Sequence, residues 1–112
     1  MKFLTVSLTA AATVAYAFAA DTLVINTPVD AVQCEPTLIT WEGGVAPYSL
    51  FITDVTNSVV QEGFPDLDGH SFTWNTNFPA GHLIELDIFD SSAQTATSGL
   101  FTIQNGPDSS CL

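Results

Sequence analysis

The chain has 112 residues, twelve Asp and Glu against a single Lys or Arg, and a formal net charge of −11 at pH 7. That length supplies one domain. With one cation it cannot build the basic surface that grips nucleic-acid phosphates, nor dock electrostatically on anionic lipid.

The first residues read as a secretory signal. Lys2 gives a short positive start, residues 3–20 carry no charge, and Ala17-Phe18-Ala19 fits the small-x-small cleavage pattern. The apolar run is at the short limit for a membrane span and is diluted by Thr5, Ser7, Thr9 and Thr13. The expectation is a cleaved signal over residues 1–19 and a single domain over residues 20–112. The protein is then secreted, extracellular or in the cell wall, with no membrane insertion after signal removal. Lys2 leaves with the signal, so the domain holds all twelve carboxylates and neither Lys nor Arg. Such a charge keeps a protein soluble in acidic medium and also favours cationic or metal-bearing partners.

After the signal, helical periodicity is absent. Short alternating runs recur at intervals of about 8 to 12 residues, the pattern of a β-sandwich. The first is Thr22 to Thr27, stopped by Pro28, with Leu23 and Ile25 on one face. The second, Thr37 to Glu42, is a β-branched and aromatic core strand that ends at Gly43-Gly44. The third is Tyr48 to Asp54: Tyr48, Leu50 and Ile52 face one way, Ser49, Phe51 and Thr53 the other. A short edge strand, Ser58 to Gln61, follows. Residues 62–69 read as a loop, because Gly63, Pro65, Asp66, Asp68 and Gly69 are turn formers or breakers. His70 to Asn75 is the fifth strand, with Phe72 and Trp74 inward. His82 to Asp90 alternates most clearly, with Ile84, Leu86 and Ile88 inward and Glu85, Asp87 and Phe89 outward, as one wet face of an antiparallel sheet requires. Ala96 to Gln104 is the last strand, with Phe101 and Ile103 inward. The predicted fold is all-β, a seven-stranded antiparallel immunoglobulin/fibronectin-like sandwich. Trp41 and Trp74 are predicted to pack near each other in its core.

The two cysteines, Cys34 and Cys111, read as a disulfide in a secreted domain. Strands that mostly reverse direction bring the start of strand two and the end of strand seven to the same end, so the pairing is geometrically reasonable. It is not the buried bridge between strands two and six of antibody domains. The Asn-x-Ser/Thr rule fails at Asn26, Asn57 and Asn75, so N-glycosylation is not expected.

Several stretches carry a resemblance. They are Ile25-Asn26-Thr27-Pro28, Val32-Gln33-Cys34 with Pro36, Ile39-Thr40-Trp41, Ser71-Phe72-Thr73-Trp74, Pro79-Ala80-Gly81, Ser98 to Ile103, and the closing Asp108-Ser109-Ser110-Cys111-Leu112. Together they resemble the immunoglobulin-like N-terminal domain of fungal cell-wall glucan synthesis proteins of the killer-toxin-resistance type. The short secreted relatives in mushroom-forming fungi are more similar still. The resemblance spans nearly all of the domain and implies the fold and a place at the cell wall or outside the cell. Many members continue into a Ser/Thr-rich stalk and a lipid-anchor signal. This chain stops at Leu112 with neither, which favours release or passive wall retention. The resemblance carries no catalytic residues onto this chain.

Candidate chemistry is sparse. Glu85 and Asp87 project from one strand face about 7 Å apart, a separation used by inverting glycosidases. Catalysis needs a cleft that perturbs one of them, and a pair of solvated carboxylates is the favoured reading. No enzyme activity is expected. Phe51 and Phe89, with Leu100, face outward among Thr53, Thr102 and the same two carboxylates, on strands that neighbour one another in a sandwich. Exposed aromatics beside hydrogen-bonding groups suit a sugar ring or a partner chain. The predicted ligand-binding residues are therefore Phe51, Thr53, Glu85, Asp87 and Phe89, and the partners are cell-wall polysaccharide or wall protein. Self-association through unpaired edges is the alternative, opposed by charge at neutral pH. Glu62, Asp66 and Asp68 offer oxygens to Ca²⁺ but lack the later acidic ligand of an EF-hand loop, so a solvated turn is favoured. His70 and His82 have no partner at ligand spacing and read as surface residues. No metal and no cofactor are expected.

Overall fold

The computed structural model describes residues 21–56 and 60–112. The predicted signal, residues 1–19, and Ser58 and Val59 of the predicted fourth strand lie outside the described residues. Among the described residues there is no helix, and eight strands form: β1 (Val24–Ile25), β2 (Thr37–Glu42), β3 (Tyr48–Asp54), β4 (Val60–Leu67), β5 (Ser71–Trp74), β6 (Leu83–Phe89), β7 (Thr95–Thr97) and β8 (Phe101–Thr102). One sheet runs β1-β2-β5. The other runs β4-β3-β6-β7, with β8 also paired to β6. Every strand pairing is antiparallel.

Alternation decides which face each strand buries. Ile84, Leu86 and Ile88 of β6 and Tyr48, Leu50 and Ile52 of β3 are buried. They share one core with Ile39 and Trp41 of β2, Trp74 of β5, Leu23, Ile25, Phe101 and Ile103. Both sheets therefore bury one side against the other, which is how a two-layer domain hides its apolar faces. The predicted bounds of the second and third strands coincide with β2 and β3.

Three expectations are corrected. Residues 62–67 are not a loop: they continue β4, which pairs with β3 from Asp54↔Val60 to Tyr48↔Leu67. The breakers are absorbed because β4 is an edge strand and the register shifts between Tyr48 and Leu50. That irregularity takes up Pro65, which has no N–H to donate, and Asp66, whose φ is 60°. The predicted last strand is split. Its two parts both pair with β6, and between them Ser98 donates its N–H to the Leu86 carbonyl while its hydroxyl accepts the Leu86 N–H. Trp41 and Trp74 are both buried but do not pack on each other. Trp74 pairs with Thr37 at the far end of β2, four residues from Trp41, or about 13 Å along the strand. Trp41 packs edge-on against Tyr48, and Trp74 against Phe78.

The two cysteines are bonded, with Cα atoms 5.4 Å apart and a sequence separation of 77. They meet because the segment before β2 runs beside the segment after β8: Val32 and Gln104 form a parallel bridge, and Gln33 N–H donates to the Gln104 carbonyl. Buried Thr76 closes the same end. Its hydroxyl donates to the Glu35 carbonyl and accepts from Thr37, while its carbonyl accepts the Cys34 N–H.

The opposite end is organised by Asp90. The β2–β3 crossing turns through Gly43, where a Cβ would lie 2.2 Å from the Thr22 carbonyl oxygen, so no other residue fits. Beyond it, Val45 N–H donates to Asp90 Oδ2, and the Ser92 and Gln94 amides donate to Oδ1. Burial pushes the Asp90 carboxyl pKa up. The bonds from the Ser92 hydroxyl and from the Gln94, Val45 and Ser92 amides outweigh that and hold it below the ordinary aspartate value. A folded pKa below the unfolded one gives stability that is present above about pH 4 and lost as pH falls through the folded value. The Tm advantage of the wild type over Asp90→Asn is therefore expected to be full at neutral pH and to shrink below about pH 4. Taking the difference cancels the general relief of charge repulsion on acidification. Thermal melts of both proteins across that range check it, and a difference independent of pH contradicts the assignment.

Candidate functional site

The register of β3 on β6 assembles the predicted site. Ser49 lies opposite Phe89, Phe51 opposite Asp87, and Thr53 opposite Glu85. Residues two apart on one strand share a face, so Phe51, Thr53, Glu85, Asp87 and Phe89 lie on the outer side of the larger sheet. Thr53, however, predicted to meet a ligand, is only 7% exposed beneath its neighbours and is not open to one. The Phe51 and Phe89 rings are 5.5 Å apart and nearly perpendicular, at 83°. Phe89 is 39% exposed and Phe51 half-buried.

What half-buries Phe51 is a residue the sequence reading placed in a loop. Gly63 of β4 lies directly across from Phe51, and a Cβ there would sit 2.9 Å from Cε1 and 3.2 Å from Cδ1 of the ring. The ring thus covers the bare backbone of β4 in space that any other side chain would occupy. The result is a corner, with Phe51 lying over the neighbouring strand and Phe89 standing at right angles to it.

The polar groups around the corner are arranged asymmetrically. Thr97 of β7 donates its hydroxyl to Asp87 Oδ1 at 2.7 Å, and Gln61 of β4 donates to the Thr53 hydroxyl at 3.1 Å. These donors are turned inward onto the site, while Glu85 and Asp87 present carboxylate oxygens from an open, half-buried sheet face. Leu100, predicted on the same face, is exposed in the break between β7 and β8.

The remaining candidates belong to the framework. Glu62 accepts from Asn77 Nδ2 and, at 3.3 Å, from Trp74 Nε1, whose nearer partner is Asn77 Oδ1 at 2.8 Å. This network borders a cleft of about 170 Å³ between the open edges β4 and β5, where Phe64 and Phe72 also pack together. Its polar groups largely satisfy one another. Asp66 sits in the β4 irregularity instead of beside Glu62 in a turn. His82, read as a surface residue, places Nδ1 2.6 Å from Oδ2 of Asp54, a residue only 2% exposed. Asp54 also accepts the Thr56 N–H, so the pair anchors the end of β3 to the start of β6. His70 is exposed and bonds the Tyr48 hydroxyl. Among the described residues, no group of three or more His, Cys, Asp or Glu side chains converges on a metal position.

Comparisons of the chain with protein-family models, curated proteins and solved structures found no match.

Proposed function

We propose that the chain is a secreted, non-enzymatic protein of the cell exterior or cell wall, an immunoglobulin/fibronectin-like domain that binds wall polysaccharide or wall protein through the outer face of β3 and β6. The fold reading is supported by the three-strand path β1-β2-β5 set against β4-β3-β6-β7, with the fourth strand beside the third, as in variable-type sandwiches. The resemblance to the fungal glucan-synthesis domains supports the location. The single observation that carries the binding reading is the perpendicular Phe51–Phe89 corner, kept open by Gly63 and flanked by Glu85 and Asp87. Exposed aromatic area grouped in this way, beside hydrogen-bonding groups, marks a contact surface more than scattered apolar residues do.

The test is retention of the purified protein on insoluble wall fractions at about pH 5, where ordinary carboxylates are still largely ionised. Loss of two stacking contacts in Phe51→Ala/Phe89→Ala is expected to lower retention by roughly tenfold or more. Circular dichroism checks that the variant is folded. Equal retention of both proteins removes this face from the binding reading. No retention of either removes polysaccharide and leaves a protein partner or self-association.

A further inference from the structure

We infer that the ligand of this face is a polysaccharide carrying free primary amines, a deacetylated amino-sugar polymer; the inference rests on the reading that the face binds at all. Three observations point there. The first is charge. All twelve acids lie beyond residue 20 and the single cation is Lys2, so the domain attracts cations from any direction and repels acidic glycans.

The second is the sense of the hydrogen bonds. Gln61 and Thr97 direct donors onto Thr53 and Asp87, so the charged groups beside the aromatic corner are the Glu85 and Asp87 carboxylates, with only the neutral Ser49 and Thr95 hydroxyls opposite Phe89. Carboxylates only accept, and an ammonium only donates, with three hydrogens and a full charge. An N-acetylated sugar replaces that ammonium by an amide whose carbonyl is a further acceptor. An extended peptide likewise brings a row of backbone carbonyls. Beside Glu85 and Asp87 those acceptors meet carboxylate oxygen, and leaving them unpaired on contact is unfavourable. A free-amine sugar has no such group.

The third is shape. Two aromatic rings at right angles, 5.5 Å apart, give one apolar floor and one apolar wall. A saturated sugar ring has an apolar C–H face for the floor and an edge for the wall. Its amine then projects toward the carboxylates, which stand about 7 Å apart along β6 and can meet successive contacts on one chain.

The experiment compares retention of the secreted protein on three insoluble solids: a β-glucan, a fully N-acetylated glucosamine polymer and its deacetylated form. Poly-lysine beads are the fourth solid. Each is measured at low salt and at about 0.5 M, where exposed charges are largely screened. The variants are Phe51→Ala/Phe89→Ala and Glu85→Gln/Asp87→Asn, the latter near-isosteric and on the surface. The inference expects about tenfold greater retention on the deacetylated polymer than on the acetylated one, lost in both variants and weakened by salt. Equal retention on acetylated polymer or glucan, lost only in the Phe variant, overturns the amine assignment and leaves the face as a binding site. Retention on the amine polymer unchanged by either variant is bulk charge adsorption and overturns both readings. Retention on poly-lysine equal to that on the amine polymer, with the same dependence on Phe51 and Phe89, overturns it in favour of a basic protein partner.

Discussion

Replacing Cys34 and Cys111 together by serine is expected to lower the unfolding free energy by about 4 kcal/mol and Tm by roughly 20 °C. The bond closes a loop spanning 77 positions. Breaking it releases most of the domain's chain in the unfolded state, and the entropy regained grows with the logarithm of loop length. The native state loses little enthalpy in return, because the segments it joins have other ties: the Val32–Gln104 bridge, the Gln33 side-chain bond to the Asp108 carbonyl, and Thr76 beneath. The variant should therefore still show an all-β spectrum at room temperature while melting far earlier. For a domain of this size total stability is of order 5 to 15 kcal/mol, so the fraction lost is large. Calorimetry of the wild type and the double variant decides it. A Tm difference under about 5 °C would show that closing this loop contributes little to the stability of the fold.

The charge balance shapes how polar groups inside the fold are satisfied. With neither Lys nor Arg in the domain, a carboxylate drawn into the structure has to be held by neutral donors or by histidine. Asp90 is held by backbone amides and Ser92, Glu62 by Trp74 and Asn77, Asp87 by Thr97, and Asp54 by His82 and a backbone amide. Bonds to fixed backbone amides tolerate salt better than exposed ion pairs do. Such a domain keeps its structure at ionic strengths that screen its overall charge, which is what allows the salt arms of the binding experiment to report on the surface alone.

Much of this was legible in the sequence where one residue's neighbours along the chain decide its fate. The alternation in Tyr48–Ile52 and Leu83–Phe89 states which side chains are buried, since a one-sided sheet enforces period two, and it fails at Thr53, which is buried although out of phase. The shared outer side of the five candidate residues followed from that alternation plus the adjacency of β3 and β6. What was not legible depends on the partner strand. Gly63 and Pro65 look like breakers until β4 is seen as an edge whose irregularity absorbs Pro65 and whose Gly63 makes room for Phe51 of β3. The Trp41–Trp74 separation follows from the β2–β5 register, and the Asp54–His82 bond joins residues 28 positions apart. At the candidate face, the sequence indicated Phe51 and Phe89 as neighbours, whereas the right angle between the rings and the bonds from Gln61 and Thr97 came from pairing.

Trp74→Ala is expected to cost about 4 kcal/mol, and Trp74→Phe only about 1 to 2 kcal/mol. The indole is 2% exposed and fills the end of the core next to Phe78, so truncation to alanine leaves a large void that the short β5 strand cannot collapse into. Phenylalanine restores most of the volume but removes the Nε1 donor. Asn77 then keeps its bond to Glu62 but loses the one from Trp74, and Glu62 loses its tie to β5. Because β4 and β5 are the open edges of the two sheets, that tie helps hold the sheets together on this side, and its loss should appear as faster amide exchange in β5 ahead of global unfolding. Denaturant melts of the two variants measure the gap between them. If phenylalanine costs as much as alanine, the hydrogen-bond network rather than packing secures this edge. If alanine costs under about 2 kcal/mol, the core at Trp74 is not the closely packed end that its burial indicates.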